Sequence, residues 1–171
     1  MDFDRNGELF EAQKQLAMER ALRCLGMRWH TVNELGNKLK KSGFEPEIVR
    51  LTLAECQRLG LLDDRQYASD YAAQLADRGC GSYRIRLNLR RKGIAPEETA
   101  ETLAQLAKDE PERAIRAAEF KLRMLARESD WRRKREKLCR FLAGRGFRPE
   151  AIRAVIAHFP ELQGRSDDFD D

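Results

Sequence analysis

One nine-residue phrase, Leu-x-x-x-Gly-apolar-x-Pro-Glu, is written three times in this chain. It occurs as Leu39…Gly43-Phe44-Glu45-Pro46-Glu47, as Leu89…Gly93-Ile94-Ala95-Pro96-Glu97 and as Leu142…Gly146-Phe147-Arg148-Pro149-Glu150. The glycines lie 50 and then 53 positions apart, a period that belongs to stacked supersecondary units. Each residue has a physical job. Glycine just past an apolar helical run supplies the left-handed residue that closes a helix, and the apolar residue behind it packs back on the last turn. Proline three positions on suits the first turn of a new helix, where no N–H is required. The glutamate after it sits at the positive end of the new helix dipole. The phrase is a helix stop, a tight turn and a helix start.

The rest of the chain reads around these turns. The apolar spacing predicts a first helix over 9–27, with Ala17, Ala21, Cys24 and Leu25 on one face and polar residues 1–8 outside it. Thr31 and Glu34 read as a capping box opening a short helix that carries Leu35 and Leu39 inward. Pro46 opens a third, with Val49, Leu53 and Cys56 inward, ending near Gly60. Asp63, with Gln66 three residues on, caps a helix over 64–76. Next, Ser82 is the expected cap of a helix whose local pattern argues against it: Ile85, Leu87 and Leu89 alternate with polar residues, as in a strand. The repeat decides for helix, because Leu35/Leu39, Ile85/Leu89 and Leu138/Leu142 are equivalent pairs four apart, the spacing of one helix face. A sixth helix follows Pro96, with Thr99, Leu103 and Leu106 inward. The stretch 109–111 breaks the pattern, and the third unit comprises helices over about 112–127 and 131–145 and a last one from Pro149. Ser129 or Asp130 caps the second of these, and Ile152, Ile156 and Phe159 face inward in the third.

The expected fold is all-α: nine helices in three tandem three-helix, helix-turn-helix-like repeats forming an elongated, curved array. Its divisions are 1–20 (extension and start of the first helix), 21–62, 63–108 and 109–160 for the repeats, and an acidic tail, 161–171, without structure of its own. Charged residues at 36% of the 171 suit such a surface-rich array, while a net charge of +4 leaves any nucleic-acid preference to local patches. The four cysteines have no paired spacing and there are two histidines, so neither a zinc site nor a disulfide framework fits. No cofactor is expected. No stretch approaches a membrane span, and the N-terminal MDFDRNGE is no signal peptide, so the expected setting is reducing and cytoplasmic.

Two basic clusters are the candidate sites. Arg84, Arg86, Arg90, Arg91 and Lys92 lie between Arg78 and Pro96 with no acidic residue among them. Arg132, Arg133, Lys134 and Arg135 form the second. Both fall on the middle helix of a repeat, and such clusters pair with phosphates or with an acidic protein groove. Tyr83 and Trp131, at the starts of these helices, are candidates for base stacking, although structural roles are commoner for such aromatics. Asp63 and Asp64 form the one paired-carboxylate candidate, but no histidine or further carboxylate completes a catalytic set there. No phosphate-binding loop occurs, since Gly79-Cys80-Gly81 lacks the Lys-Ser/Thr such a loop requires. No enzyme is expected.

These residues also carry a resemblance. The stretch Arg28-Trp-His-Thr31-Val-Asn-Glu34-Leu35-Gly-Asn-Lys38-Leu39 resembles the first-repeat signature of the RecX family, R-x-x-[ST]-x-x-E-L-x-x-K-L. Leu62-Asp63-Asp64-Arg65-Gln66-Tyr67-Ala68 resembles its L-[DN]-D-x-x-[FY]-A segment, and 81–94 its G-x-x-x-I-x-x-x-L-x-x-K-G-[IV] segment. The likeness covers about residues 10–160 in the right order. It implies a regulator that binds the RecA recombinase in the groove of its filament on single-stranded DNA, inhibits ATP hydrolysis and strand exchange, and limits recombination and the SOS response. It also implies Arg84, Arg86, Arg90, Arg91 and Lys92 as contacts, with 132–135 as a second set. Weak binding to single-stranded and double-stranded DNA, no membrane partner and a monomeric state are the accompanying expectations. The alternative reading is a nucleic-acid-binding protein of helix-turn-helix type that acts without a recombinase.

Overall fold

The computed structural model describes residues 2–163, with the backbone alone for 2–5. Among the described residues there are nine α-helices: α1 (Asp2–Met27), α2 (Val32–Lys41), α3 (Pro46–Arg58), α4 (Asp64–Asp77), α5 (Ser82–Arg91), α6 (Pro96–Lys108), α7 (Glu110–Met124), α8 (Trp131–Gly144) and α9 (Pro149–His158). A single 3₁₀ turn, Pro160–Leu162, follows them. No strand occurs among the described residues, and α5 is helical, with Ile85 and Leu89 buried and Leu87 turned outward. The acidic tail from residue 164 onward lies outside the described residues.

The repeated turns close as their chemistry dictates. Gly43, Gly93 and Gly146 have φ of +89°, +73° and +81°. In each turn the glycine N–H and the next residue's N–H both donate back into the last helical turn: Gly43 to Lys40 and Phe44 to Leu39, Gly93 to Arg90 and Ile94 to Leu89, Gly146 to Ala143 and Phe147 to Leu142. This double bond pattern satisfies carbonyls that a helix end leaves bare. Ile94 and Phe147 are buried behind their glycines, and Phe44 packs on the core of the first repeat.

Several boundaries depart from the sequence reading. Helix α1 starts at Asp2 rather than at residue 9, so it extends well ahead of the apolar face that the spacing picked out. Helix α7 starts at Glu110, with only Asp109 between it and the end of α6, and Pro111 sits in its first turn instead of breaking it. In α9 the fully buried positions are Ala151 and Val155, while Ile152, Ile156 and Phe159 pack against the edge of the same core.

The chain forms two compact units, Met1–Asp70 with Leu89–Thr99, and Tyr71–Asn88 with Ala100–Asp171. In the first, α1 packs on α2 and α3 around Ala21, Cys24, Leu35, Leu39, Val49, Cys56 and Leu62. In the second, α7 packs on α8 and α9 around Ala114, Ala118, Leu138, Leu142, Phe147, Val155 and Leu162. The four cysteines are free, Cys24 and Cys56 in the buried set and Cys80 and Cys139 half-buried. No helix among the described residues is long and apolar enough to cross a membrane.

Candidate interaction site

The basic residues are positioned by joints between successive repeats, and each compact unit holds one. In the first unit, Thr31 caps α2 by accepting the Glu34 N–H at 3.1 Å, and its hydroxyl donates to the Lys92 carbonyl at 2.9 Å. The Val32 N–H, left bare at the helix start, donates to Asp64 Oδ1 at 2.9 Å, from the first residue of α4. In the second unit the same joint recurs in different residues. The Gly81 N–H donates to the Arg145 carbonyl at 2.8 Å. The Ser82 N–H donates to Glu110 Oε1 at 2.7 Å, from the first residue of α7. With repeats aligned on the motif glycines, Thr31 matches Gly81, Val32 matches Ser82, and Lys92 matches Arg145. In both joints the turn of one repeat meets the start of the previous repeat's middle helix, and an acid from the first helix of the later repeat satisfies an orphan N–H there.

Two capping expectations are thereby corrected. Ser82 is not the cap of α5: it lies inside the helix, and Gly81, whose carbonyl accepts the first intrahelical bond from Ile85, holds the cap position. Its hydroxyl instead accepts from the Arg113 guanidinium at 3.2 Å. Glu34 does not close a capping box either. Its carboxylate takes Lys92 Nζ at 2.6 Å and Arg28 Nη1 at 3.0 Å. Burial alone would push the Glu34 carboxyl up, but these two cations hold it below its ordinary value. Asp63 caps α4 as expected, accepting the Gln66 N–H at 2.9 Å, and burial pushes the Asp64 carboxyl upward despite the bond from Val32. Both aspartates of the paired-carboxylate candidate are thus occupied in helix starts.

Against this frame the candidate cations separate. In the first unit, Arg90 and Arg91 are exposed in the last turn of α5 and pair with no carboxylate among the described residues. Their place also favours the helix, whose C-terminal end is negative. Lys92 differs: it is half-buried, bonded to Glu34, and lies 5.9 Å from the Tyr67 ring centre. In the second unit, Arg86 is exposed, while Arg84 is exposed but donates to the Gly144 carbonyl at 3.1 Å. Tyr83 is 65% exposed.

The α8 cluster stands at the opposite end of its helix. Alignment on the glycines sets 132–135 against 79–82, the three residues ahead of α5 and its first, because α8 begins earlier in its repeat. Four cations in a first turn oppose the helix dipole, and Asp130 offsets part of this by accepting the Arg132 and Arg133 N–H groups at 2.9 and 3.3 Å. Arg133 also pairs with Asp130 at 3.4 Å, and Arg132 lies over the half-buried Trp131 ring at 5.4 Å. Arg135 is exposed, with no ion pair among the described residues, and Lys134 is half-buried. Lys137 and Arg140 are committed to Glu128 and Glu136.

The helices and their joints define a tandem three-helix-repeat protein that displays unpaired cations on exposed helix surfaces. Family models described as the first, second and third three-helix domains of RecX match residues 17–56, 63–103 and 108–156. The regulatory protein RecX of Chlorobaculum tepidum is 38% identical over 162 residues, covering 94% of this chain and 99% of that protein. That of Legionella pneumophila is 36% identical, covering 82% and 92%. A crystal structure of RecX from Lactobacillus salivarius superposes with a TM-score of 0.80 at 23% identity, over 90% of this chain and 98% of that one. The chain belongs to the RecX family of regulatory proteins.

Proposed function

We propose that the protein regulates the RecA recombinase by binding its filament on single-stranded DNA and inhibiting ATP hydrolysis and strand exchange, thereby limiting recombination and the SOS response. Membership of the RecX family supports the reading. The observation that carries it at residue level is the exposed pair Arg90 and Arg91, which keeps two guanidiniums hydrated and uncommitted at a helix end. Such a pair is available to phosphates or to carboxylates of a partner protein. Arg84, Arg86 and the α8 set Arg132, Arg133, Lys134 and Arg135 are proposed as further contacts. Lys92 contributes through its bond to Glu34, which fixes the turn behind the arginines. On this reading the protein acts as a cytoplasmic monomer and needs no cofactor.

A second reading is direct nucleic-acid binding without a recombinase, favoured by the uncommitted Arg135 and by Arg132 stacked on Trp131. RecA ATP hydrolysis on single-stranded DNA, titrated with this protein at less than one copy per recombinase, separates the two. Inhibition at those ratios is expected. Unchanged hydrolysis, together with DNA binding that weakens steeply with salt, would transfer the assignment to the second reading.

A further inference from the structure

A cleft of about 460 Å³ lies within the second compact unit, bounded by the end of α4, by α7 and by the end of α8. Four arginines line it, Arg78, Arg113, Arg116 and Arg145, against one carboxylate, Asp77. Two of the four are held by the fold. Arg113, 7% exposed, donates to the carbonyls of Cys80 and Leu106 and to the Ser82 hydroxyl. Arg145 lies 4.7 Å from the Phe141 ring centre and donates from Nη1 to the carbonyls of Arg78 and Gly79, at 2.7 and 3.4 Å. Every one of these acceptors is neutral, and Glu110 of α7 is bonded to the Ser82 N–H and paired with Arg148 instead. The two charges are therefore oriented but not neutralised, which leaves positive potential in the cleft. Arg145 also keeps Nε and Nη2 without a hydrogen bond among the described residues. Arg78 and Arg116 are exposed, and the side chain of neither makes a hydrogen bond or ion pair among the described residues.

Such a cluster calls for a ligand carrying several negative charges on small groups, and the planar fork of arginine matches pairs of phosphate oxygens. The cleft also offers a flat apolar surface. Phe120 lines it one helical turn beyond Arg116, with 54% of its area exposed. An exposed ring beside cations is a platform for a nucleobase, whose own face is flat and polarisable. One turn is about 5.4 Å along the axis, which leaves room for a pentose between base and phosphates. The volume falls among clefts that enclose one small molecule, about 300–1,000 Å³, so a single nucleotide fits better than a strand. We propose that the cleft of α4, α7 and α8 binds a free nucleoside polyphosphate, with its phosphates on Arg78, Arg116 and Arg145 and its base against Phe120. Arg113 adds charge from behind without leaving its carbonyl partners. Asp77 is the one group that opposes the phosphates. The site shares no residue with the filament contacts proposed above, and its test needs no recombinase.

The test is calorimetric titration of the full chain with ATP, with inorganic tripolyphosphate and with a short single strand of thymidines. Saturable binding of one ATP per chain is expected. Arg78→Glu and Arg116→Glu, at exposed side chains that bond to nothing else, are each expected to weaken it at least about tenfold with the melting temperature unchanged. Arg20→Glu, an exposed α1 arginine in the other compact unit, makes the same change in net charge and is expected to have no effect. Phe120→Ala is expected to weaken ATP at least about fivefold, the low end of base–aromatic stacking, and to leave tripolyphosphate unaffected. Asp77→Asn, which removes the opposing carboxylate, is expected to tighten ATP binding. Failure of ATP to bind would overturn the proposal, as would equal losses in Arg20→Glu and Arg116→Glu. Tripolyphosphate binding as tightly as ATP, with both indifferent to Phe120→Ala, would reduce the cleft to a general anion site and overturn it. So would a thymidine strand that needs Arg116 and binds where ATP does not, because the cleft would then belong to nucleic acid.

Discussion

Gly81 lies against Gly146 backbone to backbone: a Cβ on Gly81 would stand 2.2 Å from the Gly146 carbonyl carbon and oxygen and from the Phe147 nitrogen. Gly81 has no left-handed φ, so its backbone conformation suits any residue. The constraint is purely one of space at the joint between the second and third repeats. Gly81→Ala is therefore expected to destabilise by about 2–3 kcal/mol, the scale of forced overpacking. Gly26→Ala, at a helical position with nothing within 4 Å of the added atom, is expected to stabilise by a few tenths up to about 1 kcal/mol. Urea unfolding of the two variants measures both, and equal effects would mean the joint is looser than the geometry says.

The motif glycines make a graded series. Gly43 and Gly93 share a left-handed φ, but a Cβ on Gly43 meets open space, whereas one on Gly93 meets the Asn33 side chain at 2.1–2.7 Å. Gly43→Ala should cost about 1–2 kcal/mol from backbone strain. Gly93→Ala should cost about 1 kcal/mol more, from displacement of Asn33, and Gly93→Val still more, because a branched side chain resists that φ. Thermal melts should rank the three in that order. A melt unaffected by Gly93→Val would refute the helix-stop role.

His30 gives the fold a pH dependence. Burial pushes the imidazole below its ordinary value, outweighing the bond from Nδ1–H to the Arg28 carbonyl at 2.8 Å, and Nε2 has no partner. The folded chain thus protonates His30 at lower pH than the unfolded chain, which takes up its proton at about pH 6.5. Stability is intact above that pH and falls as pH drops through it, by at most about 1.4 kcal/mol per unit. His30→Asn, which keeps a donor for Arg28 but cannot titrate, should flatten the slope between about pH 6.5 and 5. Urea midpoints across that range decide the matter, and an unchanged slope would assign the titration elsewhere.

The arginines of α5 and its following lysine should behave differently. Arg90→Glu with Arg91→Glu is expected to leave the melting temperature nearly unchanged while weakening RecA-filament or DNA binding at least about tenfold, or ~1.4 kcal/mol. Lys92→Glu, facing Glu34 across a pair whose side chains are 28% and 20% exposed, should instead cost about 2 kcal/mol of stability. Full binding by a folded double-arginine variant would remove α5 from the contact surface.

The helices and their repeat were legible in the chain because their determinants are local. A left-handed glycine, an apolar residue behind it and a first-turn proline act within a few residues of one another. For the same reason Thr31 and Asp63 could be placed as caps, and the cap of α8 narrowed to Ser129 or Asp130, of which Asp130 holds it; each cap accepts an N–H two or three residues ahead. The equivalent pairs Leu35/Leu39 and Ile85/Leu89 settled α5, where alternation by itself pointed to a strand. Where local cues were read alone they misled: Pro111 looked like a break and is a helix start, and Ser82 looked like a cap and lies inside its helix.

The candidate site was only half legible, since charge is written in the sequence but its commitment is not. Lys92 reads as one of five equivalent cations, yet it is tied to Glu34, 58 positions away. Asp64 reads as an ordinary first-turn acid and Glu110 as part of a break between helices, yet each satisfies an N–H of an earlier helix, 32 and 28 positions back. Arg113 carries no motif at all, yet it is buried and lines a cleft. The sequence by itself determined the helices, their turns and their number of repeats, because short-range sterics and hydrogen bonding decide those. Only the tertiary structure decided which cations remain free, because desolvation and pairing depend on which distant carboxylates and carbonyls the packed helices bring within about 3 Å.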